Sequence, residues 1–142
     1  MSYEELKQYL IDCCNNGVSI SYNSLKKEID NNPEEFHKMD LPDITRKWRR
    51  SSSYIFYNMR GKKTEYKFIE VYRMEIQKTN CYSEEYIFTA YIVPTSEAET
   101  NEIHVLGVTK HPWSYELAAL NKDQYKKYSQ KAQPPKTITY RS

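Results

Sequence analysis

Glycine is scarce in this chain: there are 3, each standing alone, at Gly17, Gly61 and Gly107. Loops that cradle phosphates need several glycines close together, because the backbone must approach the ligand in conformations that other residues resist. Walker-type and dinucleotide-binding loops are therefore excluded, and no cofactor is expected. The 3 cysteines are an odd number with Cys13 and Cys14 adjacent, and there is no N-x-S/T sequon. A disulfide framework is not expected, and the compartment reads as intracellular and reducing. No apolar run approaches the roughly 20 residues that span a bilayer. The start, Met1-Ser2-Tyr3-Glu4-Glu5, lacks the basic-then-apolar order of a secretory signal.

What the chain has in quantity is tyrosine, at 14 of its 142 positions, within 14% aromatic, 39% hydrophobic and 28% charged residues. Such a composition can fill one modest core, so a single domain with a tail is expected. The net charge of +2 conceals alternating blocks. Residues 1–45 carry 4 basic and 9 acidic side chains (−5), residues 46–73 carry 9 and 2 (+7), residues 74–100 sum to −4 and residues 101–142 to +4. The +7 block is either a phosphate-binding surface or a solvated face that pairs with its acidic flanks.

Ser2 and Glu5 form a capping-box pattern, and Tyr3, Leu6, Tyr9, Leu10 and Cys13 follow at helical spacing until Asn15-Asn16-Gly17. A short extended link, Val18-Ser19-Ile20, leads to Ser21, a cap for a second helix with Tyr22, Leu25 and Ile29 on one face. It is expected to end near Asn31-Asn32-Pro33. Residues 34–43 are polar and read as an insertion or long loop, with a helical turn around Phe36. A third helix is expected over 43–59, on the spacing of Ile44, Trp48, Ile55 and Met59, with a break at Ser51-Ser52-Ser53 and Gly61 as terminator. The period then changes. Residues 66–76, 86–93 and 103–108 are rich in aromatic and β-branched residues and read as three strands. One further amphipathic helix is expected over 115–128, and residues 131–142 read as a flexible tail.

This order implies an α+β fold resembling a winged helix-turn-helix: three N-terminal helices, then an antiparallel sheet of about three strands. The domain is expected to span 1–113, with an insertion near 30–47 and a further helix within 114–130.

Little in the sequence assembles chemistry. His37, His104 and His111 lack metal-ligand spacing with Cys13, Cys14 or Cys81, and no C-x-x-C or H-E-x-x-H occurs. No metal site and no catalytic residue is expected, so the chain reads as a non-enzyme. Cys13 reads as a core thiol. His104, between Ile103 and Val105, serves as a general base only if a pocket and a carboxylate converge on it. The adjacent pairs Glu4-Glu5, Glu34-Glu35 and Glu84-Glu85 diverge in any regular element and make solvated faces rather than catalytic dyads.

The basic run Arg46-Lys47-Trp48-Arg49-Arg50, followed by Arg60, Lys62 and Lys63, is the strongest local feature. On a helix Arg46, Arg49 and Arg50 share a face that can meet phosphates. The aromatic, apolar stretch that follows them suits a protein partner better than base readout. The candidate partner-binding residues are Ile55, Phe56 and Met59 on the expected third helix, with Tyr86, Phe88 and Tyr91 on the sheet. For each the alternative is a place in the core.

Several pieces resemble the N-terminal domain of the third, non-catalytic subunit of DNA polymerase delta. They are the first helix (6–14), the link and second helix (Val18-Ser19-Ile20-Ser21-Tyr22-Asn23-Ser24-Leu25), and the small-residue start running into aromatics (Ser51-Ser52-Ser53-Tyr54-Ile55-Phe56-Tyr57-Asn58-Met59). The turn Arg60-Gly61-Lys62-Lys63, the strands at 66–72 and 86–93, and Glu102-Ile103-His104-Val105-Leu106-Gly107-Val108 as closing strand complete the likeness over residues 3 to 113. It departs at the insertion 30–47 and at Asn58, where the family tends to place an acidic-aromatic pair. A charged tail with a sliding-clamp motif is missing, which reads as an excised N-terminal domain or a divergent protein. The resemblance implies a nuclear adaptor in DNA replication that docks on the second, non-catalytic polymerase subunit. The alternatives are a stand-alone winged-helix protein that binds duplex DNA through the basic cluster, and a small viral or host-directed inhibitory protein.

Overall fold

The computed structural model describes residues 1–37, 51–59, 62–81, 83–95, 101–110 and 117–132. Helix α1 (Tyr3–Asn16) begins at the expected reciprocal cap. The Glu5 amide donates to Ser2 Oγ at 3.1 Å and the Ser2 amide donates to Glu5 Oε1 at 2.8 Å. Two amides that the helix itself leaves without partners are thus satisfied. Gly17 stops the helix in the left-handed region, with φ of 66°, as the amides of Gly17 and Val18 close on the carbonyls of Cys14 and Cys13.

Strand β1 (Ile20–Ser21) runs directly into helix α2 (Tyr22–Asp30), where Ser21 Oγ accepts from the Ser24 amide at 3.2 Å. Asn101 completes this cap from far along the chain. Its carbonyl accepts from the Tyr22 amide at 2.6 Å, its Oδ1 from the Asn23 amide at 2.7 Å, and its Nδ2 donates to Ser21 Oγ at 2.8 Å. Beyond α2 the expected helical turn is present, the amides of Glu35 and Phe36 both donating to the Asn32 carbonyl at 2.9 Å, and Phe36 itself is buried and bridges to Lys78 in antiparallel fashion.

The remaining elements are β2 (Ser51–Met59), β3 (Lys62–Gln77), a 3-10 turn at Glu84–Tyr86, β4 (Ile87–Pro94), β5 (Glu102–Thr109), β6 (Leu117–Leu120) and helix α3 (Lys122–Ala132). The six strands form one antiparallel sheet in the order β1-β5-β4-β3-β2, with β6 also paired to β5. The sheet curls until β2 comes into contact with β6. The class is therefore α+β, and the three expected strands are β3, β4 and β5.

Two expected helices are corrected. Of the third, residues 43–50 lie outside the described residues and Ser51–Met59 is strand β2, paired with β3 so that Ile55 faces Tyr66 and Met59 faces Lys62. Serine, tyrosine, isoleucine and phenylalanine in sequence have weak helix propensity, and the last three favour strands. The spacing of Ile55 and Met59 by four fits a strand as well as a helix. Gly61, expected to terminate that helix, lies outside the described residues. The helix expected over 115–128 starts only at Lys122, because Leu117–Leu120 pairs with Gly107, Val108 and Thr109 of β5.

The sheet is covered on both faces, which accounts for the nearly unbroken apolar runs of β4 and β5. On one face Tyr72, Met74, Ile76, Phe88, Ala90, Ile92, Ile103, Val105 and Val108 pack against α1, α2 and Phe36. On the other, Tyr91, Val93 and Leu106 pack with Leu117, Leu120 and Tyr125. Among the described residues no helix is long and apolar enough to cross a membrane.

Candidate docking groove

Burial shifts two thiols and one imidazole away from their ordinary values. Burial pushes the Cys14 thiol up to about 12 and raises that of Cys13 as well, so neither offers a thiolate near neutral pH. His104 sits half-buried on β5, and burial, assisted by Lys127 and opposed by Glu102, lowers its pKa. No group of three or more His, Cys, Asp or Glu residues among those described is placed to hold a metal ion.

Among the residues whose side chains are described, which leaves out 51–71, the exposed large apolar side chains are Met1, Tyr9 and Val18, at 47%, 40% and 51% exposure, all on α1 or immediately beside it. Met1 and Tyr9 line a groove of about 200 Å³ between α1 and α2, whose floor is Leu6, Ile20 and Leu25 and whose rim includes Ser21, Ser24 and Glu28. The Glu28 carboxylate accepts from the Met1 ammonium and, at 2.9 Å, from Asn32 Nδ2, so the acidic end of the groove is fixed in place. The Ser21 and Asn101 cap sets the entry angle of α2, and β1 ties that entry to β5 through Ile20 opposite Ile103. The groove is thus built on rigid elements rather than on a loop.

The residues singled out from the sequence fall elsewhere. Phe88 is fully buried in the main core with its ring 5.6 Å from that of Tyr3, Tyr86 is half-buried against the same core, and Tyr91 is buried on the opposite face. Phe88 and Tyr91 take the core alternative, and Tyr86 packs at the margin of the core. Ile55, Phe56 and Met59 lie on strand β2 rather than on a helix. Lys62 and Lys63 open strand β3 opposite Met59 and Asn58. Arg46, Lys47, Arg49, Arg50 and Arg60 lie outside the described residues. No protein-family model, curated protein or solved structure matches the chain.

The groove was not singled out from the sequence because Tyr9 shares helical spacing with Leu6, Leu10 and Cys13 and reads as one more core position. The available signal was the width of that stripe. Tyr3, Leu6, Leu10, Cys13 and Cys14 already fill the buried face, which leaves Tyr9 at its margin.

Proposed function

We propose that this chain is a non-enzymatic adaptor that docks on a protein partner through the groove between α1 and α2. The observation that carries the reading is the exposure of Met1 and Tyr9, both large and apolar, on the wall of that groove. Exposed apolar side chains gathered beside a groove mark interaction sites more often than isolated ones do. Its volume of about 200 Å³ falls below the 300–1,000 Å³ or so of pockets that enclose small molecules, and suits one or two anchoring side chains of a protein. Residues 1–37 carry 7 acidic side chains and 3 lysines. The segment that fits is therefore an apolar anchor flanked by lysine or arginine.

The resemblance narrows the partner to the second, non-catalytic subunit of a replicative DNA polymerase, in the nucleus, and the module to a winged-helix type. In its favour are the order α1, β1, α2 and the pairing of β1 with β5, which contains the stretch likened to the family's closing strand. Against it stands strand β2 in place of the C-terminal part of the third helix. Hydrogen exchange on the chain mixed with that purified subunit tests the reading. Protection confined to the amides of α1 and α2 is expected, and unchanged exchange there at saturating partner rejects it.

A further inference from the structure

Helix α2 ends beside a second cavity, of about 570 Å³, lined by Ile29, Asp30, Pro33, Phe36 and Thr79. That volume lies within the roughly 300–1,000 Å³ of pockets that take small molecules. Ile29 and Phe36 are buried, and with Pro33 they give the cavity apolar walls.

These walls are held by hydrogen bonds. The Thr79 amide donates to the Glu35 carbonyl at 2.9 Å, and Thr79 Oγ1 donates to the Pro33 carbonyl at 2.9 Å. Phe36 pairs with Lys78 and the His37 amide donates to the Gln77 carbonyl at 2.9 Å. From Phe36 to His37 the chain therefore runs away from Thr79 and the cavity it lines. A cavity preformed in this way loses little binding free energy to ordering its walls.

Charge selects the ligand. From Glu28 to Phe36 the sequence is Glu-Ile-Asp-Asn-Asn-Pro-Glu-Glu-Phe, with acids at four positions and no base. The Glu28 carboxylate accepts from Met1 and Asn32, and that of Glu35 from the Tyr3 amide. Asp30 is exposed and has no hydrogen-bond or ion-pair partner among the described residues. Lys26, one turn earlier, lies over the Tyr22 ring, 5.6 Å from its centroid. Asp30 also stands in the last turn of α2, the negative end of the helix, where a carboxylate is unfavourable until a cation meets it. A metal ion does not fit, because no group of three or more His, Cys, Asp or Glu among the described residues is placed to hold one.

We propose that this cavity binds a small organic ammonium ion, with its apolar body against Ile29, Pro33 and Phe36 and its charged head on the Asp30 carboxylate. The site is separate from the α1–α2 groove, which lies along α2 from Ser21 to Glu28. Ligand binding and partner docking are therefore lost independently.

An NMR chemical-shift titration of the full chain with phenethylammonium tests the proposal. A probe of this size is expected to bind with a dissociation constant at or below about 10 mM, with saturable shifts centred on the amides of Ile29, Phe36 and Thr79. Phenethyl alcohol keeps the body without the charge and binds about three- to fivefold more weakly, and phenylacetate, of opposite charge, more weakly still. Asp30→Asn keeps or raises the melting temperature and weakens the ammonium by about three- to fivefold. Asp12→Asn makes the same change in net charge on α1 and leaves the affinity within about twofold. Absence of saturable shifts at those amides, phenylacetate binding as tightly as the ammonium, or equal effects of Asp30→Asn and Asp12→Asn overturns the proposal.

Discussion

Asn121 Nδ2 donates to the Cys14 carbonyl at 2.7 Å, across 107 positions of sequence, while Asn121 Oδ1 accepts from the Gln124 amide at 3.0 Å. The Asn121 amide also donates to the Leu106 carbonyl at 2.9 Å. One side chain and its amide therefore join the end of α1, strand β5 and the start of α3. Losing a cap costs about 1 kcal/mol, and in Asn121→Ala the Cys14 carbonyl keeps only the 3.3 Å bond from the Gly17 amide. We expect Asn121→Ala to destabilise by about 1–2 kcal/mol, with Asn121→Asp in between because it keeps the cap and loses the donor. Urea denaturation measures both. Equal stability of the two variants would contradict this account of the junction.

Tyr3 places a hydroxyl in the core with no protein hydrogen-bond partner, and burial raises its pKa. A buried polar group without a partner costs more than it returns. Tyr3→Phe keeps the ring beside Phe88 and is expected to leave stability unchanged or to raise it by about 1 kcal/mol. A clear loss in a thermal melt would mean that the hydroxyl is bonded in solution.

His104 carries a pH prediction. Its folded-state pKa lies below its ordinary value of 6.5, chiefly through burial, so over the interval between them the unfolded chain binds more protons than the folded one. Stability therefore rises with pH through that window and is lost as pH falls from neutral through the ordinary histidine range. The melting temperature of the wild type is expected to drop between about pH 7.5 and 5.5, and that of His104→Gln to drop less. Parallel slopes for the two proteins would exclude this histidine as the source.

The sequence made the helices and the sheet legible wherever local chemistry and tertiary packing agree. Ser2 with Glu5, Gly17 and Ser21 are short-range signals that hold in any context, and each stands where its cap requires. Ser51–Met59 reads as a helix from sequence because its spacing by four is shared by two periods, and the partner that decides between them begins only at Lys62. Leu117–Leu120 is similar: its strand character comes from pairing with β5, and the local signal for the helix start is Asn121 three residues ahead of Gln124. Of the candidate site, Tyr9 was visible as a residue but not as a surface, since exposure depends on how α2 packs beside α1.

The central claim is that the α1–α2 groove docks a protein partner, and titration calorimetry of the full chain against the purified second, non-catalytic polymerase subunit tests it most directly. Tyr9 is 40% exposed, so Tyr9→Glu is expected to keep the wild-type melting temperature within a few degrees. The wild type is expected to form a one-to-one complex, and Tyr9→Glu to weaken it by about 2 kcal/mol or more, the scale of an interface hot spot. Heats of mixing indistinguishable from buffer for the wild type, or equal affinity for Tyr9→Glu, would contradict the account.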